Sequence, residues 1–371
     1  MIHADVAIVG GGMAGASLAA ELVAHRSVLL IEGESHPGYH ATGRSAAFWT
    51  ETYGGPHVQP LTTASGPFLR APPPDFADAG FLRPRGAVHL SHASAAERLD
   101  AFERNYAGSS VALSRLAPDA LRAAVPGIRA DWTHGLSEPS CADIDVASLH
   151  AAYLRAFRRG GGRLLADARV SAAERGGDGW CVAAGGETIA CAVLVDAAGA
   201  WADDLARLAG VRPLGLSAYR RTIVQLRVDP PAPAELPLVI DVDGRFYFKG
   251  EAGGRIWLSP HDETPCAPGD AAAEEIDVAL AIDRLQRVVD WRVDRVERSW
   301  AGLRTFAPDR LPVYGYDARA DGFFWCAGQG GFGIQTAPAA AKLAAALLLR
   351  TAPDDMVNGI EPHVFRPKRF G

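Results

Sequence analysis

The sequence predicts an α/β fold: a parallel sheet with helices, joined to an α+β region built on an antiparallel sheet. Three observations predict it. At the start of the chain a strand, a glycine-rich turn, a helix and a second strand follow one another. Two more strand-to-helix junctions rich in small residues lie far downstream, near residues 193–208 and 322–350. Between them, from Arg220 to Arg298, short apolar runs alternate with turns, as in an antiparallel sheet.

The chain has 371 residues, above the ~250–300 at which single cores divide, so two domains are expected. Apolar residues make up 48% and charged residues 22%, which excludes a disordered chain, a fibrous repeat or a coiled coil. No repeat of 20–50 residues argues for a solenoid or propeller. A net charge of −6 gives no ground for a nucleic-acid surface. Of the 37 basic residues only Lys249, Lys342 and Lys368 are lysines, so a single arginine carries little weight. The five cysteines are scattered without a CxxC and read as reduced core thiols. No run reaches the ~18–20 apolar residues of a membrane span. The N-terminus shows no basic segment followed by a cleavage site. A soluble, cytoplasmic protein is expected.

Asp5–Val9 reads as a strand, Ala16–Ala24 as a helix and Val28–Ile31 as a second strand ending at Glu32. Gly10 permits the tight turn, Gly12 lets the backbone approach a pyrophosphate, and Gly15 lets helix and strand pack closely. The helix start at Met13 and Ala14 offers unpaired N–H groups to phosphate. Glu32 is placed to accept from ribose hydroxyls. The unit predicts a dinucleotide. Glutamate at this position, at the very start of the chain, favours FAD over a nicotinamide cofactor. In Gly38–Ala47 small residues suit close approach to an extended ligand, and Arg44, Ser45 and Ala46 are candidate contacts. Val193–Val195 reads as a strand, followed by Ala198, Gly199 and a helix over Ala202–Leu208. Gly322–Cys326 reads as a strand running through Gly331, Gly333, Ile334 and Gln335 into a helix ending at Arg350. With Val170, these complete the expected cofactor contacts. The expected cofactor domain comprises residues 1–48, 142–216 and 303–371. Residues 49–141 and 217–302 form the substrate domain.

Six stretches are more specific than the glycine pattern: Pro37–Ala47, Ala142–Asp145, Leu194–Trp201, Gly210–Leu216, Trp300–Phe306 and Gly328–Thr336. In them the chain resembles the D-amino-acid oxidase superfamily of FAD-dependent oxidoreductases, and within it the bacterial D-arginine dehydrogenases. The resemblance implies a Rossmann-like FAD domain and a substrate domain whose antiparallel sheet lies over the flavin. It implies noncovalent FAD, and no cysteine lies in the Asp309–Tyr316 turn to tether it. It also implies oxidation of a D-amino acid by hydride transfer to flavin N5. The imine product is then hydrolysed to a 2-keto acid and ammonia.

That chemistry requires an anchored carboxylate, which calls for arginine, whose planar fork meets both oxygens. Arg221, at the start of a predicted strand, and Arg304 match the family's carboxylate anchors. Tyr53 and Tyr247 match its active-site tyrosines, and the carbonyls of Gly302 and Gly331 match positions near the substrate amine. The sequence departs from the D-arginine dehydrogenases at Phe48, where they have histidine, and at Ala87, where they have glutamate. A guanidinium side chain would lose its partner, so a neutral or hydrophobic D-amino acid is expected. An acidic substrate is the competing reading, with Arg245 on the Tyr247 face, Arg83 or Arg85 as its partner. His150 and Tyr153 read as packing residues, and His40 and His261 as surface residues. No metal spacing and no catalytic base stand out. Three points stay open. The substrate could be glycine, sarcosine or a 2-hydroxy acid. The chain could be a noncatalytic flavin-binding subunit. The electron acceptor could be O2 or a quinone.

Overall fold

Val6, Ala7 and Ile8 are an unbroken apolar run, buried on both faces of the strand Ile2–Val9. This is how a central parallel strand is expected to look. The computed structural model describes residues 1–371. In it the parallel strands lie in the order Arg163–Leu165, Val28–Ile31, Ile2–Val9, Glu187–Asp196, Phe323–Ala327. Val313–Tyr316 adds antiparallel at the far edge. The hairpin Val170–Gly176 and Gly179–Ala184 pairs with the first half of Glu187–Asp196. Helices Met13–Leu22, Val146–Arg159 and Ala337–Leu349 pack on one face, through Leu18, Leu22, Phe157 and Leu343. Trp180, Val182, Ala202 and Ala206 fill the other. No helix is long and apolar enough to cross a membrane.

The second sheet has ten strands. Its centre is the long pair Ser217–Asp229 and Arg292–Phe306, antiparallel from Ser217↔Phe306 to Asp229↔Arg292. Arg255–Ser259, Tyr247–Glu251 and Leu238–Asp241 continue it. Arg292–Phe306 runs unbroken across the boundary expected between residues 302 and 303. A short sheet of Phe48–Trp49, Ala142–Ile144 and Leu82–Pro84 lies beside it.

One region differs from expectation. Thr62–Ala130 reads as helical, and helices Gln59–Arg70, Ala96–Asn105 and Pro118–Ala124 are present. Between them, however, Ala87–Ser91 is a fully buried strand, parallel to Leu238–Asp241. Five residues with a histidine in the middle are too few for periodicity to separate strand from helix. The pairing that decides it is supplied by residues about 150 positions away.

The glycine turn has the packing that the spacing predicts. Gly10 has φ +107°, and a Cβ there would lie 2.3 Å from Ala197 O. A Cβ on Gly15 would lie 1.9 Å from Gly10 O. Both obstacles are backbone, which cannot swing away. Gly15→Ala should therefore lower stability by about 1–3 kcal/mol, an overpacking cost, and loosen the turn. Thermal melting with flavin release as a second readout would show this. An unchanged melting curve with full flavin content would contradict it.

Candidate active site

The parallel strands end together, and their C-terminal ends open on a cavity of about 450 Å3. This is the usual place for a ligand in an open α/β sheet. Gly10, Gly12, Met13, Ala14 and Glu32 line it on one side. Arg44, Ser45, Ala46, Val170, Ala198 and Gly199 line it further along, followed by Gly331, Gly333 and Ile334. Glu32 receives Gly11 N and Glu34 N at 2.9 Å each, which fixes its carboxylate and leaves lone pairs for a diol. Met13 N, at the helix start, donates to Thr42 Oγ1 at 2.9 Å. His150 Nε2 donates to Gly11 O at 2.8 Å, and burial pushes the imidazole below its ordinary value, so it stays neutral. Neither Thr42 nor His150 carries a sequence signal for this role.

Three expected cofactor residues have other surroundings. Gly15 is buried behind the turn and acts only through packing. Gln335 is buried and outside the cavity; its Nε2 donates to Tyr53 O at 3.0 Å and Thr62 Oγ1 at 2.9 Å. Arg44 lines the cavity, but its guanidinium is paired with Asp270 and donates to Ala271 O at 2.8 Å and Ala301 O at 3.2 Å. It ties the glycine-rich loop to the large sheet rather than standing free for phosphate.

The far end of the cavity is formed by the large sheet. Arg221 is in the middle of Ser217–Asp229, not at its start, and pairs across the ladder with Gly302. Arg304 is two residues further along the partner strand, so it shares the face of Gly302. Ile223, opposite Trp300, is on the same face. Arg221, Ile223, Tyr247, Gly302 and Arg304 all line the cavity. Arg221 Nε donates to Asp262 O at 2.8 Å and its Nη2 to Glu263 at 3.1 Å. Its Nη1 is buried without a partner, as are Arg304 Nη1 and the Tyr247 hydroxyl. Burial and the neighbouring Arg304 push Arg221 down to about 10, so it remains a cation at neutral pH. The same burial and the two arginines hold His261 well below its ordinary value, and therefore neutral.

Tyr53 and Phe48 do not line the cavity itself and pack just behind this end. Arg304 Cζ lies 5.4 Å from the Tyr53 ring centre. Phe48 stands between the tyrosines, 5.8 Å from Tyr53 and 5.4 Å from Tyr247, edge to face in both cases. A Cβ on Gly331 would fall 2.2 Å from the Tyr53 hydroxyl and 2.7 Å from Arg304 Nε, so glycine is what lets both side chains reach this point. Ala87 is buried behind Tyr247 in a cluster with Ala46, Cys141, Ile223 and Leu238. Arg245 does not join them. The strand begins at Tyr247, and Arg245 sits in the preceding turn, held by Asp241 and Asp243. Arg85 is paired with Asp143, and Arg83 is exposed. Ile223, Asp262 and Glu263 belong to this end, although sequence reasoning did not single them out.

The fold and the cavity define a dinucleotide-binding protein of the α/β class. The chain belongs to the FAD-dependent oxidoreductase family, whose profile matches residues 5–347. It is 31% identical over 182 residues to FAD-dependent oxidoreductase domain-containing protein 1 of Bos taurus. That match takes in 44% of this chain and 37% of the bovine protein, so it spans well under half of that relative. It is 26% identical over 362 residues to the glycine oxidase of Geobacillus kaustophilus, covering 93% of each. The crystal structure of glycine oxidase from that organism superposes with a TM-score of 0.83, covering 97% of this chain and 98% of that one at 23% identity. L-proline dehydrogenase from P. horikoshii superposes with a TM-score of 0.85 at 19% identity, covering 100% and 98%. The cofactor is FAD. The cavity suits it: a glycine turn and helix start for the pyrophosphate, a fixed carboxylate for the ribose, and small residues over the rest.

Two outcomes are expected. Burial and the neighbouring Arg304 push Arg221 down to about 10, so its charge weakens as the pH rises through that value. The affinity of the flavoprotein for a simple carboxylate should be level below that pH and fall above it. An affinity that stays level across that range would show that Arg221 keeps its charge there. Gly331→Ala should displace Tyr53 and Arg304 together and weaken carboxylate binding about tenfold or more, the scale of one charged hydrogen bond, with FAD retained. Spectral titration of the variant would test it.

Proposed function

We propose that the protein oxidises a neutral or hydrophobic D-amino acid to its imine, which water hydrolyses to a 2-keto acid and ammonia. The observation that carries this reading is the set of buried donors without partners, Arg221 Nη1, Arg304 Nη1 and the Tyr247 hydroxyl, at one end of the cavity. Leaving such groups unpaired costs about 1–3 kcal/mol each. A carboxylate meets both guanidiniums and the phenol at once. Bound FAD supplies the hydride acceptor. The chain's own residues do the rest. Arg221, Arg304 and Tyr247 hold the carboxylate, and Tyr53 closes beside Arg304. The carbonyls of Gly302 and Gly331 face the amine and accept hydrogen bonds from it, which orients it. No side-chain base is needed when the amine binds unprotonated.

The side-chain preference follows from what surrounds Phe48. Ile223 and Tyr247 make an apolar wall at this end of the cavity, backed by Ala87 and Phe48 in the same apolar cluster. The carboxylates behind it are engaged. Glu138, directly across the ladder from Ala87, is saturated by Thr50, Glu51 N, Thr52 and His89. Asp143 is paired with Arg85 and Lys249, and Asp241 with Arg245. A guanidinium or ammonium side chain would be buried without a counter-charge, a costly state. The preference for neutral over acidic side chains rests on the same pairing, since Arg245 and Arg85 are both neutralised. The D configuration rests on the resemblance of the motifs. The named relatives glycine oxidase and L-proline dehydrogenase support an amino acid as substrate. The full-length match to glycine oxidase favours glycine or sarcosine as the second reading.

The test is kcat/KM for D-Leu, D-Phe, D-Glu, D-Arg, L-Leu, glycine and sarcosine. D-Leu or D-Phe should lead, with a broad profile, since an apolar pocket discriminates by only about 1–3 kcal/mol per methylene. D-Arg as the best substrate would overturn the apolar-wall argument, and glycine or sarcosine as the best would install the second reading. Arg221→Met and Arg304→Met should each lower kcat/KM by at least ~10–150-fold, the scale of a charged hydrogen bond, with FAD content unchanged. Acid precipitation should release the flavin into the supernatant, as noncovalent binding requires.

A further inference from the structure

Behind Tyr53, on the side away from the cavity, one carboxylate gathers a cluster of donors. Glu138 is fully buried at the end of the strand His134–Glu138. Its Oε1 accepts from Thr50 Oγ1 at 2.7 Å and from Glu51 N at 2.8 Å. Its Oε2 accepts from Thr52 Oγ1 at 2.7 Å and from His89 Nε2 at 2.8 Å. Burial alone would raise this carboxyl, but His89, Thr50 and Thr52 outweigh it and keep it ionised. The Tyr106 hydroxyl donates to Thr52 O. From the other side Gln335 accepts from Thr50 N at 3.4 Å and donates to Tyr53 O at 3.0 Å.

All of these bonds except the one from His89 act on the same short turn, Thr50–Tyr53. That turn has no ladder of its own, since the strand Phe48–Trp49 ends just before it. A buried carboxylate is an expensive way to fill space, and apolar residues of the same volume would serve a core better. What a carboxylate with two oxygens can do is fix several donors in known directions at once. Here it fixes Thr50, Glu51 and Thr52, and the next residue is Tyr53. The Tyr53 ring then packs against Phe332 and Phe48, and its hydroxyl reaches the small space left by Gly331 beside Arg304.

We propose that Glu138, acting with Thr50, Thr52 and Gln335, is a positioning residue for Tyr53, and that through Tyr53 it sets the affinity of the arginine pair for a substrate carboxylate. This rests on the reading of that pair as the carboxylate site. Glu138 touches neither the cavity nor the arginines, so its influence must pass through the turn. The effect belongs to binding: KM should change while kcat changes little, because the turn carries no group that handles the reacting hydrogen.

The experiment is a double-mutant cycle on the holoenzyme, with 4-methylpentanoate as a carboxylate that lacks the oxidisable amine. Its dissociation constant is read from the perturbation of the flavin spectrum in wild type, Glu138→Gln, Tyr53→Phe and the double variant. Glu138→Gln should weaken binding about three- to tenfold, the scale of a hydrogen bond lost from the site, when Tyr53 is present. In the Tyr53→Phe background it should weaken binding by less than twofold. Equal weakening in both backgrounds, or none with Tyr53 present, would overturn the proposal and leave the carboxylate site intact. A wild-type protein that binds no carboxylate would overturn both. Thr52→Val, a near-isosteric change that removes one of the same bonds, carries the identical cycle if Glu138→Gln fails to retain flavin.

Discussion

Two guanidinium groups lie on one face of one sheet, buried and only partly neutralised. Much of the site can be understood as the means of keeping them so. Asp262 lies next to Arg221 and would quench it, yet its carboxylate is turned to Thr222, accepting the backbone N–H at 2.8 Å and the hydroxyl at 3.0 Å. Its oxygen remains 3.9 Å from Arg221 Nε, and only its backbone carbonyl takes a hydrogen bond from the guanidinium. Glu263 is shared with Arg310 at the surface, where water weakens it. Arg221 is thus held by one neutral carbonyl and a shared carboxylate, while Arg304 beside it has no carboxylate partner. Charge is left over on the cavity side, where an anion would complete it.

Strand register decides which arginines take this role. Arg220 and Arg221 are neighbours with opposite fates. Arg220 faces away from the cavity, clamped by Glu274 and Asp277, while Arg221 faces into it. A slip of one residue between Ser217–Asp229 and Arg292–Phe306 would exchange them and place a fully neutralised arginine at the site. The alternating apolar set Val224, Leu226 and Val228, which must stay in the core, forbids that slip. Chemistry on one face is therefore guaranteed by hydrophobic burial on the other.

The parts of the molecule that could be read from sequence are those in which each residue answers a local demand. Gly10 and Gly15 are needed by atoms within a few residues or one strand away, so the turn, the helix and Glu32 could be placed without any relative. The arginine pair is a different matter. In a chain so rich in arginine, Arg221 and Arg304 stand out only through the resemblance of their flanking motifs. Arg245 was misplaced because Asp241 and Asp243 close a turn that delays the strand by two residues, and with it the face on which Arg245 lies. Arg44 and Gln335 were assigned to the cofactor because their partners, Asp270 and the Thr50–Tyr53 turn, are more than 200 residues away in the chain. No local pattern reports a hydrogen bond made across such a distance. The same holds for Thr42 at the helix start and His150 behind Gly11.

The unbroken strand Arg292–Phe306 has a mechanical consequence. It runs from the outer part of the large sheet to the rim of the FAD cavity, and it is laddered to Ser217–Asp229 along most of its length. That ladder lies wholly within the large sheet, so the two arginines keep their spacing however the two sheets move against each other.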